Sequence, residues 1–79
     1  MRILYFGPAR EITGLANEEI GFDHEISTGD LCAHLALLYP TLERLLATSR
    51  IAVEMEYVTD GTMIPSLAEV AIIPPVAGG

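Results

Sequence analysis

The final two residues, Gly78 and Gly79, carry a free α-carboxylate with no side chain beside it. Gly makes up about 7% of an average sequence, so a chance terminal pair occurs in about 0.5% of chains, which makes the pair worth following. A carboxylate at neutral pH is a poor electrophile and needs activation, for example as an acyl-adenylate made with ATP. The activating site must close around the carbonyl, and a residue without Cβ permits that approach. The activated carbon can then accept sulfur. The resulting thiocarboxylate is a strong nucleophile at neutral pH, as a thiolate is for Cys. The chain contains no Lys, its four basic residues being Arg2, Arg10, Arg44 and Arg50. In acyl chemistry it must therefore be the donor, since it offers no side-chain amine as acceptor.

Other reactive groups are poorly arranged for chemistry. Cys32 is the single cysteine, which excludes an internal disulfide framework and suits a reducing compartment. It reads as a small core or boundary residue. His24 and His34 do not stand at metal-ligand spacing with Cys32 or each other, and His34 reads as lying on a solvated helix face. Glu18-Glu19 and Glu54-x-Glu56 are carboxylate pairs with no sign of a cleft between them. Arg10-Glu11 reads as a surface pair. No catalytic triad, phosphate loop or metal cluster is legible, so the chain is expected to bind no permanent cofactor.

A terminal reagent must be held out from a stable body. The 79 residues suffice for a single domain, 1–79, and 51% of them are hydrophobic, enough for one core. A tail over 74–79 is expected to be flexible but stiffly launched: Ile72-Ile73 ends an apolar run, and Pro74-Pro75 favours an extended spacer before Val76-Ala77-Gly78-Gly79. The net charge of −7 repels phosphate backbones, which argues against nucleic-acid binding. No apolar run has the length to span a bilayer, and the N-terminus does not read as a signal peptide. The cytosol is expected by elimination.

The pattern predicts a strand over Met1–Phe6, a Gly7-Pro8 break, and one helical turn over Ala9–Thr13 ended by Gly14. A second strand over Glu18–Phe22 should form a hairpin with the first. Ser27 and Asp30 have capping-box spacing, and Leu31, Leu35, Leu38 and Tyr39 form one apolar stripe of a helix that Pro40 ends. Leu42, Leu45 and Leu46 mark a second short helical piece. Ile51–Val58 reads as a strand bent near Glu54-Met55, Asp60-Gly61 as a turn, and Pro65 demotes the following segment to an edge or loop. Val70–Ile73 is the last strand. The class is α+β. The first and last strands are the most apolar, as expected for neighbours at the centre of a mixed sheet. Both their faces are apolar, yet one main helix can cover only one. The other face should be an exposed apolar patch and an interface, unless the small helical pieces fold over it.

The opening Leu4-Tyr5-Phe6-Gly7-Pro8-Ala9-Arg10-Glu11-Ile12-Thr13-Gly14 and the ending Glu69-Val70-Ala71-Ile72-Ile73-Pro74-Pro75-Val76-Ala77-Gly78-Gly79 resemble the small-subunit family of molybdopterin synthase (MoaD-like). Ala52–Val58 is closer to its eukaryotic version. The resemblance spans the whole chain and implies a β-grasp, ubiquitin-like fold. It implies a heterotetramer with a large subunit, and an activating enzyme that uses ATP transiently to adenylate Gly79 before a persulfide supplies sulfur. The large subunit would then use the thiocarboxylate to build the dithiolene of the molybdenum cofactor from precursor Z. Gly78 would occupy the channel into the large subunit, and Phe6, Tyr57 and Ile73 would contact the partners, with 74–77 as the tail's contact stretch. Tyr57 shares strand parity with Val53 and Met55, so it is exposed only if that strand bends. Many relatives carry Asn at the position of Glu54 and a Gly-Asp turn at Ser66-Leu67-Ala68. A thiamine-pathway sulfur carrier of the same fold, a ubiquitin-like modifier and an inert adaptor remain alternatives.

Overall fold

The structure is a computed structural model that describes residues 1–75. Strands β1 (Arg2–Tyr5), β2 (Asn17–Glu19), β4 (Arg50–Val53), β5 (Glu56–Tyr57) and β7 (Glu69–Ile73) form one mixed sheet in the order β2-β1-β7-β4-β5. β1 and β7 run parallel, Ile3 beside Val70 and Tyr5 beside Ile72, and every other pairing is antiparallel. The most apolar strands are thus central neighbours, as the composition requires. Helices α1 (Pro8–Thr13), α2 (Thr28–Leu38) and α3 (Glu43–Thr48) complete the α+β, β-grasp arrangement, with a 3-10 turn at Pro40–Leu42 between the last two.

One face of the sheet carries the core. Ile3, Tyr5, Val70 and Ile72 are buried there with Leu31 and Leu35 of α2, Leu42, and Leu46 of α3. Burying each such side chain contributes about 1.5–3 kcal/mol. Ala9 of α1 joins the same cluster. The small helices therefore sit beside α2 and leave the opposite face of the central strands bare. Leu38, expected on the buried stripe, is 48% exposed, because α2 ends there and Tyr39 has already left helical geometry. Pro40 opens the 3-10 turn instead of continuing α2.

Local chemistry accounts for the element ends. Ser27 Oγ accepts from the Asp30 N–H at 3.1 Å, the forward half of the expected capping box. Gly14 closes α1 in the left-handed conformation, its N–H donating to the Arg10 carbonyl. Two features escaped the sequence pattern. Ile26-Ser27 pairs with Met63-Ile64, ahead of Pro65, as a separate two-stranded sheet of β3 and β6. The Ile51–Val58 segment is not a bent strand but a hairpin. Val53 faces Glu56, and Glu54 and Met55 between them both take positive φ, 49° and 69°. That is the pattern of a type I′ turn, made here without glycine or asparagine.

Candidate functional site: the open sheet face and the base of the tail

Alternation along the strands fixes what the bare face displays. Leu4 and Phe6 lie on it from the first strand and its exit, Ala71 and Ile73 from β7, and Ala52 from β4, opposite the buried Ile3, Tyr5, Val70 and Ile72. Tyr57 is brought there by the hairpin, which pairs it with Ala52. Leu4, Phe6, Ala52, Met55, Tyr57, Ala71 and Ile73, with Glu69 at the border, line a shallow apolar depression. Phe6 is 49% exposed, Tyr57 55% and Met55 92%. Large apolar side chains so exposed in one contiguous patch are the mark of an interaction surface.

The hairpin also explains the exposure of Tyr57. Continuous-strand parity puts it with Val53 on the core side, and the turn reverses that. The Arg50 guanidinium lies 3.9 Å over the Tyr57 ring centre, on the same face at the next position along β4. No sequence signal links Arg50 to Tyr57 until the position of the turn is known.

β7 ends on this face at Ile73. Pro74, half-buried, and Pro75, exposed, follow it. Phe6, Tyr57 and Ile73, three of the expected contact residues, are thus together, beside the point from which the chain leaves the sheet. Val76, Ala77, Gly78 and Gly79 lie outside the described residues.

The remaining reactive side chains serve the body. Tyr5 Oη donates to Glu18 Oε1 at 2.8 Å, and Tyr39 Oη donates to both carboxylate oxygens of Glu18 at 3.0 Å. The two rings meet edge to face at 6.2 Å. Burial, then the Glu18 carboxylate, pushes both phenols above their ordinary range. Glu18 is therefore an acceptor that joins β2 to β1 and to the end of α2, unlike its exposed neighbour Glu19. Thr28, buried, accepts from the Gly61 N–H at 2.8 Å and ties the start of α2 to the 60–61 turn.

Cys32 is half-buried against the core, where burial first and Asp60 second raise its thiol pKa. It is the boundary residue its position suggests, held in its unreactive form. His34 does not lie on a fully solvated face: it is half-buried, edge-on to Phe22 at 5.2 Å. His24 is exposed. Among the described residues no group of three His, Cys, Asp or Glu stands close enough to hold a metal ion, and no helix is long and apolar enough to cross a membrane.

Residues 3–79 match the ThiS family. The chain is 34% identical to the human molybdopterin synthase sulfur carrier subunit, with 100% of this chain and 93% of the relative covered. It is 33% identical to the Arabidopsis thaliana protein of the same name, covering 100% and 82%. Among solved structures, a Pyrococcus furiosus protein described as a putative molybdopterin converting factor, subunit 1, superposes with a TM-score of 0.83 at 23% identity, covering 95% of each chain. SAMP1 from Haloferax volcanii superposes at 0.82, also at 23% identity, covering 99% of this chain and 97% of its own. These two likenesses establish the fold.

Proposed function

The chain belongs to the ThiS family, and from that premise we propose that it is the sulfur carrier subunit of molybdopterin synthase. Its relatives at 30–36% identity over the full chain carry that name. The observation that carries the reading is the placement of β7. This central strand ends at Ile73 beside the bare apolar face, so a partner docked on that face sits where the chain leaves the sheet at Pro74.

In this reading the Gly79 carboxylate attacks the α-phosphorus of ATP in a separate activating enzyme, and pyrophosphate leaves. A persulfide sulfur then attacks the acyl carbon and displaces AMP. A second thiol cuts the acyl disulfide, leaving the terminal sulfur on Gly79 as a thiocarboxylate. Phe6, Tyr57 and Ile73 hold the large subunit. Pro74, Pro75, Val76 and Ala77 line the way into its pocket, and Gly78 gives the slim backbone that a narrow channel needs. The large subunit contributes the catalytic groups that move the sulfur to precursor Z. ATP is a transient co-substrate and is not held by this chain. The need for ATP and reducing thiols suits the cytosol, and a net charge of −7 disfavours nucleic acid.

Intact mass after co-expression with an activating enzyme tests the reading. The expected result is a gain equal to one oxygen-to-sulfur exchange, absent when Gly79 is deleted. Covalent adducts of this chain on other proteins would assign it instead as a modifier, and an unchanged mass as an inert adaptor.

A further inference from the structure

The bare face is electrically polarised along its strands, and the register shows how. At the end where β1 and β7 begin, Arg2 stands between Glu19 of β2 and Glu69 of β7. Glu54 joins them: its backbone N–H donates to the Glu69 carbonyl, and its Oε1 accepts from the Glu69 N–H, both at 2.9 Å. Three acidic residues and one arginine thus occupy that end of the face, an excess of negative charge. The middle of the face, Leu4, Ala71 and Ala52, is apolar. At the far end, beside Ile73 and the departing tail, Arg50 lies across from Ile73 in the ladder and over Tyr57, with Phe6 two strands away.

The geometry points to Arg50 and Tyr57 as a docking clamp that reads a carboxylate on the partner protein, while the Glu19–Glu69–Glu54 end faces a basic group on the same partner. The partner surface is therefore apolar at its centre, basic at one edge and acidic at the edge nearest the tail's entrance. A guanidinium already stacked on an aromatic ring keeps its donors fanned outward and loses little freedom when a carboxylate arrives. Opposite charges at the two ends admit one orientation and oppose the reversed one, in which carboxylates would meet carboxylates. That orientation puts the emerging tail at one defined edge of the partner. A second copy of this chain fits less well, since each copy brings a net charge of −7.

The inference rests on the proposed function, and the probe is the molybdopterin synthase large subunit from the same source, titrated calorimetrically with the full chain. Arg50→Glu is expected to weaken binding by at least about thirtyfold. Arg50→Lys, which keeps the charge but loses the planar fork, should fall between Arg50→Glu and the unaltered chain. Glu19→Arg should weaken binding less, and Arg50→Ala should reduce the salt dependence. Leu37→Glu, at an 82% exposed site on α2, should leave affinity unchanged, and melting temperatures of all variants establish folding. If the unaltered chain binds but Arg50→Glu stays within about twofold of it, or Leu37→Glu weakens binding as much, the clamp is wrong and the sulfur-carrier reading stands. If the unaltered chain does not bind, both fall. Sedimentation that shows a homodimer broken by Arg50→Glu, with large-subunit binding unaffected, would overturn the choice of occupant.

Discussion

Met55 holds a left-handed backbone conformation that costs a side-chain-bearing residue about 1–2 kcal/mol, and its own side chain is 92% exposed. Little core packing offsets that strain. Met55→Gly should therefore stabilise the isolated chain by about 1 kcal/mol, which raises the melting temperature of a domain this size by about 4–8 °C. Scanning calorimetry reads this directly, and an unchanged or lower midpoint would contradict the turn geometry. Glu54, its neighbour in the turn, is a different case. Its carboxylate accepts the Glu69 N–H, so it offsets its own positive φ with a cross-strand hydrogen bond. The Asn expected there from the resemblance also suits positive φ. Glu54 keeps the turn while adding charge to one end of the open face.

At the scale of elements, the Tyr5–Glu18–Tyr39 cluster joins two strands and the end of α2. Both phenols are held protonated above their ordinary value of about 10, so the folded chain binds more protons than the unfolded one as pH rises past that value. Their contribution is complete below about pH 10 and is lost progressively above it. Urea unfolding across that range should show stability falling steeply, and the Tyr5→Phe, Tyr39→Phe double variant should show a shallower fall. An identical slope would mean the phenols do not ionise on unfolding. None of this cluster was legible in the chain, because it joins residues far apart in sequence, and Glu18-Glu19 read only as a carboxylate pair with no cleft between its members. What was legible followed from short-range rules: the Ser27 cap, the Gly14 stop, the Pro40 boundary and the two-sided hydrophobicity of the first and last strands. The β3–β6 pair was hidden because two residues carry no period. The 54–55 hairpin was hidden because its turn lacks the usual Gly or Asn. That second gap displaced the expected orientation of Tyr57 and concealed its pairing with Arg50, whereas Phe6 and Ile73, named from the resemblance, lie on the bare face that the two-sided hydrophobicity of the first and last strands implied.

Taken whole, the body that carries stability is distinct from the terminus to which the proposed chemistry is assigned. Among the described residues the buried cluster ends at Ile72, and Pro75 is exposed. Removal of residues 76–79 should therefore leave the melting temperature within about 2 °C of the full chain, since the last few residues of a domain contribute little unless they are tied down. Circular dichroism melts would show it, and a large drop would mean the tail packs against the body. The strand that carries the tail sits in the middle of the sheet, hydrogen-bonded to β1 on one side and β4 on the other. A ribosome makes β7 after every strand it lies between, so the sheet stays split, with a vacant slot at its heart, until that segment emerges. The sheet cannot close without the strand that precedes the C-terminal stretch. A copy that stops short of β7 is therefore left as two unjoined halves of a sheet, whereas one that lacks only residues 76–79 keeps all five strands.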